Sequence, residues 1–248
     1  MTDSTEHEPA APTPPKASLV EDFVDIFVSP REVFARRATS GFVPVMVVLT
    51  LLLGGLFLVN RGTMEGIMDA EYARAMAQAM KQNPTMTQQQ LDMGRKISGY
   101  AMSFGAFVGI PIAMLIVGFA AWLTGKILGA QLTYGAATMI ATYSFMPRVI
   151  EALSIAIQGM LMDTSGLTGK YQLSLGVGRF LDPTMSPGLL GVIGRLDIFT
   201  LWVTVLLAIG MAVVAKLPRE KAVAAGVLMW LFGAIPSLWQ LVRSAGGA

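Results

Sequence analysis

The sequence predicts an all-α membrane protein, a bundle of five transmembrane helices with a helical hairpin inserted between helices 1 and 2. Hydrophobic residues make up 54% of its 248 residues and charged residues only 14%, whereas soluble domains carry about 25% charged residues. The hydrophobic residues also lie in long uncharged runs, as lipid-embedded helices of about 20 residues require. These runs are 38–60, 97–125, 127–147, 152–162, 198–215 and 222–242.

The chain divides into four regions by composition. Residues 1–17 are polar and proline-rich, so we expect a disordered tail. Because this start lacks the basic and apolar parts of a cleaved signal peptide, the first apolar run should remain as an anchor. The predicted regions are the tail 1–17, amphipathic interfacial helices at 18–40, a transmembrane domain at 41–242 with insertions at 61–96 and 163–195, and a second tail at 243–248.

The segment before the first span is predicted to form two short helices. Leu19, Phe23, Ile26 and Phe27 recur at helical spacing, with acidic residues between them. The residues 29–32 match a capping box with proline at the first helical position. A mixture of apolar and basic residues suits a helix at the membrane surface. The alternative is a helix packed against the end of the bundle.

The five spans follow from the uncharged runs, and their packing from small residues spaced four apart. The basic residues beside the first span and in the turn 216–221 favour a cytoplasmic amino terminus. The predicted spans are 42–59, 98–124, 134–161, 197–215 and 221–241. The small residues that would let helices approach closely are Gly105 and Gly109; Ala121, Gly125 and Gly129; and Ala222 and Gly226.

Two insertions lie outside the predicted spans. Residues 61–96 should form a helical hairpin that Asn83-Pro84 breaks, and a capping box from Thr87 to Gln90 should restart the helix into the second span. Alternating residues over 171–177 indicate a short strand in the second insertion. The first arm of the hairpin carries one stripe at four-residue spacing, consisting of Met64, Met68, Tyr72, Met76 and Met80. Thioethers could bind copper(I), but apolar packing is the more common role of such methionines.

Arg148 and Glu151 are the main candidate site, an intramembrane polar pair in the third span. A charge near mid-membrane must face protein, water or a partner, and three-residue spacing places the two on one helix face. Pro147 should kink this helix. The pair could form a polar pocket for an ion or lipid headgroup, a salt bridge inside the bundle, or an interfacial pair. Asp197 suits the start of helix 4, although it could also be a partner for Arg148 or Arg195.

Several function classes find no support in the sequence. Cysteine is absent, and the single histidine, His7, lies in the predicted tail. No metalloprotease, serine–histidine or phosphate-loop pattern occurs, so we expect a protein that is not an enzyme, with no cofactor and no metal site. The net charge is +2, and the basic residues are scattered at helix ends rather than gathered on one face. We therefore expect no nucleic-acid partner.

Three stretches resemble the Yip1-domain membrane proteins, in particular their bacterial branch. They are Ser29-Pro30-Arg31-Glu32-Val33-Phe34; Thr133-Tyr134-Gly135-Ala136 leading to Tyr143-Ser144-Phe145-Met146-Pro147; and Leu196-Asp197-Ile198-Phe199-Thr200-Leu201-Trp202 continuing through Leu206-Leu207-Ala208-Ile209-Gly210. The resemblance covers 18–242 and implies five spans, a cytoplasmic amino terminus and a carboxyl end across the membrane. Eukaryotic members look to be trafficking factors that bind Rab GTPases, and the methionine-striped hairpin differs from their compact form.

This resemblance, read with the residues, leaves three functions open. The first is a non-catalytic scaffold or membrane-organising factor in the bacterial inner membrane, with a membrane-protein partner or a second copy of itself. The second is a small transporter, channel component or lipid-handling protein that uses the polar site near Arg148 and Glu151. The third is an accessory subunit of a membrane complex that docks through the 61–96 hairpin. All three have the lipid bilayer as their surroundings.

Overall fold

The computed structural model describes residues 18–82 and 87–246, and this part of the chain is helical. The tail predicted at 1–17 lies outside the described residues. In chain order the helices are α1 (Leu19–Val28), α2 (Pro30–Arg37), α3 (Val43–Val59), α4 (Arg61–Gln82), α5 (Gln88–Ile127), α6 (Tyr134–Ser144), α7 (Pro147–Leu161), α8 (Pro187–Ile193), α9 (Ile198–Val213) and α10 (Arg219–Gly246). The tail predicted at 243–248 is therefore helical as far as Gly246.

The first two helices are joined by a single residue. Ser18 starts α1 with a reciprocal capping box, in which its hydroxyl accepts from the Glu21 backbone N at 3.2 Å and the Glu21 carboxylate accepts from the Ser18 backbone N at 2.7 Å. The capping box predicted at Ser29 is wrong, because the Ser29 side chain makes no cap bond, although Pro30 is the first residue of α2. Ser29 also ends α1, where its backbone N donates to the Asp25 carbonyl at 2.7 Å.

The hairpin formed by α1 and α2 packs against the bundle. Val33 and Phe34 are fully buried, and α2 contacts α9. The Phe27 ring meets the Trp202 ring edge-on, with 5.2 Å between ring centroids. The inner face of this segment is therefore packed against the bundle, which was one of the two alternatives considered for it. The outer face of α1 carries exposed Val20, Val24 and Val28.

Three helices in the described part of the chain are long and apolar enough to cross a bilayer. They are Phe104–Ile127 within α5, Tyr134–Leu161 across α6 and α7, and Arg219–Arg243 within α10. A fourth is obtained if α3 and Arg61–Ala77 are taken as one span, although they are bent by 77°. The apolar helix α9 is shorter, with 16 residues. The helical membrane class is confirmed. By length and apolar composition, the described helices give three or four spans, so the count of five stays a prediction.

Helix α5 begins earlier than the uncharged run indicated. Thr87 caps it as predicted: its hydroxyl accepts from the Gln90 backbone N at 3.3 Å, and the Gln90 side chain accepts from the Thr87 backbone N at 2.9 Å. The helix runs unbroken for 40 residues from Gln88, so the capping box leads directly into the second span as predicted, and the apolar span within it begins at Phe104 rather than at 98. What was predicted as the second arm of a hairpin is therefore the first part of the same helix.

Helix α6 lies at the centre of the bundle, between α5 and α9. Its residues 137–144 are all buried, and the hydroxyls of its buried threonines and serine bond back to the helix itself. Thr142 donates to the Thr138 carbonyl at 2.8 Å, and Ser144 donates to the Ile140 carbonyl at 2.7 Å. These bonds satisfy polar groups that would be costly to bury unpaired. The helix predicted over 134–161 is two helices, because α6 ends at Ser144 and α7 begins at Pro147.

Small residues play different roles from those their spacing indicated. A Cβ added at Gly226 would lie 3.1 Å from the Ala208 Cβ, so α10 and α9 do approach closely there. At Gly105 and Gly109 the prediction is wrong, since no described atom lies within 4 Å of such a Cβ. Gly129 follows α5 with a φ of +82°, a conformation that glycine adopts without strain.

The second insertion forms turns rather than a strand. Within the described residues of this segment, the only pairing of strand type is an isolated antiparallel bridge between Gly176 and Asp197. Leu173 is buried, and a 3₁₀ turn follows at Val177–Phe180. The strand predicted over 171–177 is therefore wrong, because alternation forms a strand only beside a partner strand.

Candidate polar site between the helices

Helices α7 and α9 bring Arg148, Glu151 and Thr200 together. Because α7 starts at Pro147, Arg148 and Glu151 lie in its first two turns on one face. Arg148 Nη1 lies 2.6 Å from Glu151 Oε2, and Arg148 Nη2 donates to Thr200 Oγ1 at 3.0 Å. The two charged side chains keep 29% and 26% of their surface exposed. The pair is therefore tied to α9 and still reachable from outside the bundle.

Asp197 is the N-cap of α9. Its Oδ1 accepts from the backbone N of Phe199 and of Thr200, both at 3.0 Å, and its side chain is buried. A carboxylate at a helix N-terminus is stabilised by the helix dipole. This geometry accounts for Asp197 as the start of helix 4, while Thr200 links the same helix turn to Arg148.

Arg195 is a neighbour of this site that sequence reasoning considered only as a partner for Asp197. Its Nη2 donates to the Trp230 carbonyl at 2.8 Å, and its guanidinium lies 5.3 Å from the centroid of the Trp230 ring. Burial lowers the pKa of Arg195, and the positive charge of Arg148 lowers it further, while Asp197 has the opposite effect. Arg195 Nε is buried without a hydrogen-bond partner among the described residues.

Two adjoining cavities meet at Arg148 and Glu151. The first, the apolar groove, has a volume of about 490 Å³ and lies between α3, α5 and α7. The second, the polar vestibule, has a volume of about 270 Å³ and lies between α7, the start of α9 and the segment 170–174. Both cavities are lined by Met64, Arg148, Glu151 and Ile155.

A second ionic cluster, the Asp22 cluster, fixes the amino-terminal helices to the bundle. Asp22 is fully buried and accepts from Arg36 Nε at 2.8 Å, from Arg37 Nε at 2.6 Å and from the Tyr143 hydroxyl at 2.8 Å. Arg36 also bonds Asp25 at 2.7 Å. Burial lowers the pKa of Arg36, but the hydrogen bonds to Asp25 and Asp22 outweigh it, so the pKa lies above its ordinary value.

The sequence did not single out this cluster. Its partners on α2 lie 14 and 15 residues from Asp22, and the hydroxyl on α6 lies 121 residues away. The only local signal was an aspartate on a helix whose other face is apolar.

The methionine stripe lies along α4, with Met64, Met68 and Met76 half-buried and Met80 exposed. Within 18–82 and 87–246, no group of three or more His, Cys, Asp or Glu side chains could hold a metal ion. His7 lies outside these ranges. The copper(I) alternative thus rests on the methionine spacing alone.

Comparison with known proteins gives one family and one relative. The family model of the Yip1 domain matches residues 24–240. Membrane protein YknW of Bacillus subtilis (strain 168) is 22% identical over 206 residues, which cover 83% of this chain and 83% of that protein. No solved structure matches the chain.

Proposed function

The chain belongs to the Yip1 domain family, and from this membership and the geometry above we propose that it is a non-catalytic membrane scaffold, a membrane-organising factor or an accessory subunit of a membrane complex. The observation that carries the proposal is the length of α5. Its 40 residues extend about 60 Å, roughly twice the thickness of a bilayer core. Only Phe104–Ile127 has the composition of a span, so the part before it projects beyond the apolar bundle.

The polar contacts agree with a structural role. Asp197 caps a helix, and Asp22 joins two helices to a third. The hydroxyls of Thr142 and Ser144 on α6 bond back to the backbone of their own helix. Each of these polar groups makes hydrogen bonds that stabilise the fold, as we expect of a scaffold.

The proposal includes five crossings, with the amino terminus in the cytoplasm and the protein in the bacterial inner membrane. Helices α3 and α9 have 17 and 16 residues, which extend about 26 and 24 Å. Both are a few ångströms short of a core of about 30 Å, a mismatch that bilayer thinning accommodates at modest cost. The basic residues Arg31, Arg36 and Arg37 before α3 favour the cytoplasmic side for the amino terminus.

The projecting helices are the proposed partner surface, which corresponds to the 61–96 hairpin of the sequence prediction. Helix α4 turns away from α3 by 77°. Arg74 on α4 donates to the Thr168 carbonyl at 2.5 Å, which holds this helix against the second insertion. On its outer side Ala73 and Ala77 are exposed.

Site-specific photo-crosslinking in intact membranes tests the partner surface. A photo-reactive residue at Ala73 or Ala77 should give one discrete adduct, whose mass tells a second copy of the chain from another membrane protein. Val227 is the control, because it is exposed on the apolar part of α10. The same products at Val227 as at Ala73, or no adduct at either alanine, would contradict the proposal.

A second candidate function is a small transporter, channel component or lipid-handling protein. The observation that favours it is that Arg148 and Glu151 line two cavities rather than being enclosed by other helices. In a conduit, changing either residue would abolish activity while the protein stays folded. In a scaffold, the same change would lower stability instead.

A further inference from the structure

We propose that the apolar groove and the polar vestibule together bind one anionic phospholipid, with an acyl chain in the groove and the phosphate in the vestibule. This goes beyond the scaffold function, since a scaffold needs no such site. It assigns the arginines near the α7–α9 contact to headgroup recognition.

The groove has the chemistry of a hydrocarbon site. Its walls are mainly Leu53, Phe57, Ile110, Ala113, Phe145 and Ala152. Its volume of about 490 Å³ falls within the range of about 300–1,000 Å³ that is usual for ligand sites. The groove is open at the surface of the bundle, so a lipid chain can enter sideways from the bilayer.

Gly109 lines this groove, and a Cβ placed there would meet no described atom within 4 Å. The space beside α5 is therefore real and is not filled by a neighbouring helix. Asn60 also lines the groove; its Nδ2 donates to the Ala152 carbonyl at 2.8 Å, while its Oδ1 is buried without a partner among the described residues.

The vestibule carries an excess of positive charge. Its lining includes the cations Arg148, Lys170 and Arg195 and the anions Glu151 and Asp197, a formal sum of +1. Glu151 already pairs with Arg148, and Asp197 accepts two backbone N–H groups. A phosphodiester carries one negative charge, so its binding would balance the vestibule.

Two donors of the vestibule have no partner among the described residues. Arg195 Nε and the Ser174 hydroxyl are both buried, and both residues line this cavity. Unmade hydrogen bonds of buried groups are costly, and phosphate oxygens accept strongly from guanidinium donors. Burial and the neighbouring charge of Arg148 lower the pKa of Arg195, as expected for a cation held away from water beside another cation.

The contact between the two cavities distinguishes a lipid from a soluble anion. Since Met64, Arg148, Glu151 and Ile155 line both, the apolar and polar parts form one amphipathic surface. Inorganic phosphate would occupy the vestibule alone and leave the groove exposed. A phospholipid covers both.

Native mass spectrometry of the full chain, delipidated in detergent, tests the proposal with phosphatidylglycerol and phosphatidylcholine as probes. Phosphatidylglycerol should bind at least tenfold more tightly, and Lys170→Gln should reduce this ratio, because Lys170 is exposed and its loss removes a positive charge from the lining of the vestibule. Gly109→Leu should weaken both lipids about tenfold by filling the groove. Gly105→Leu is the matched control: it lies one turn away on α5, has equal space around it and does not line the groove.

Three results would overturn the assignment. They are equal affinity for the two lipids, unchanged lipid binding in Gly109→Leu, and inorganic phosphate alone raising the melting temperature as much as phosphatidylglycerol does. The last result would identify a soluble-anion site. If Gly109→Leu fails to accumulate, the headgroup comparison decides. A preference for phosphatidylglycerol that Lys170→Gln reduces supports the assignment, and equal affinity for the two lipids overturns it.

Discussion

Replacing Asp22 by asparagine should detach the amino-terminal helices from the bundle. The side chain of Asp22 is fully buried and receives hydrogen bonds from Arg36, Arg37 and Tyr143. Asparagine keeps the size and one acceptor, but it removes the negative charge between two arginines. The two cations would then face each other beside a buried hydroxyl.

The expected cost follows from the burial of each partner. Breaking a buried ion pair costs about 3–5 kcal/mol. Arg36 and Arg37 keep 28% and 17% of their side-chain surface exposed and can recover part of their hydration. We therefore expect about 3 kcal/mol, the lower end of that range.

Two controls separate charge from hydrogen bonding. Tyr143→Phe removes one bond to a charged group and should cost about 1.5–3 kcal/mol. Asp25 is 35% exposed, and an exposed pair contributes less than about 1 kcal/mol, so Asp25→Asn should have the smallest effect. The free energies should be measured by denaturant unfolding in detergent micelles, with amide exchange in α1 and α2 reporting local detachment. Equal effects of Asp22→Asn and Asp25→Asn would refute the reasoning.

Two further predictions concern helix contacts. Arg148→Met and Glu151→Gln should each lower stability by about 1.5–3 kcal/mol, and the double variant should recover much of the loss in thermal melting; no recovery, with activity lost in folded protein, would favour a conduit. A Cβ at Gly188 on α8 would lie 2.5 Å from the Leu241 backbone N, so Gly188→Ala should cost about 1–3 kcal/mol by forcing α8 from α10. At Gly135 a Cβ meets nothing within 4 Å, and an equal loss in Gly135→Ala would contradict this packing argument.

The structural features that were predicted from the sequence are those set by residues close together along the chain. The capping box at Thr87 and the position of Pro30 as the first residue of α2 are both set within one helical turn. The three-residue spacing of Arg148 and Glu151 likewise placed them on one face, at 2.6 Å from each other. Long uncharged runs predicted the helical membrane class, because lipid admits few other structures.

The features that the sequence did not predict depend on contacts between residues far apart along the chain, or on a neighbouring segment that a local pattern does not reveal. The Tyr143 hydroxyl donates to Asp22, which lies 121 residues away along the chain, and no periodic sequence pattern connects residues at that separation. Arg195 bonds Trp230 across 35 residues. The uncharged run placed the second span from 98, although its helix begins at Gln88, because hydropathy marks where lipid begins, whereas a helix continues through polar residues of good helix propensity. Alternation near Leu173 predicted a strand that had no neighbour with which to pair.

Cysteine accessibility mapping of the membrane-inserted chain tests five crossings most directly, since the native chain contains no cysteine. Single cysteines would replace Ser4, Ser165, Arg219 and Ser244, and an impermeant thiol reagent would be applied from the outside. Five crossings predict that Ser165 and Ser244 react while Ser4 and Arg219 do not. Three crossings would place Ser165 on the same side as Ser4, and four would place Ser165 and Arg219 together. Either of those patterns would contradict the five-helix account.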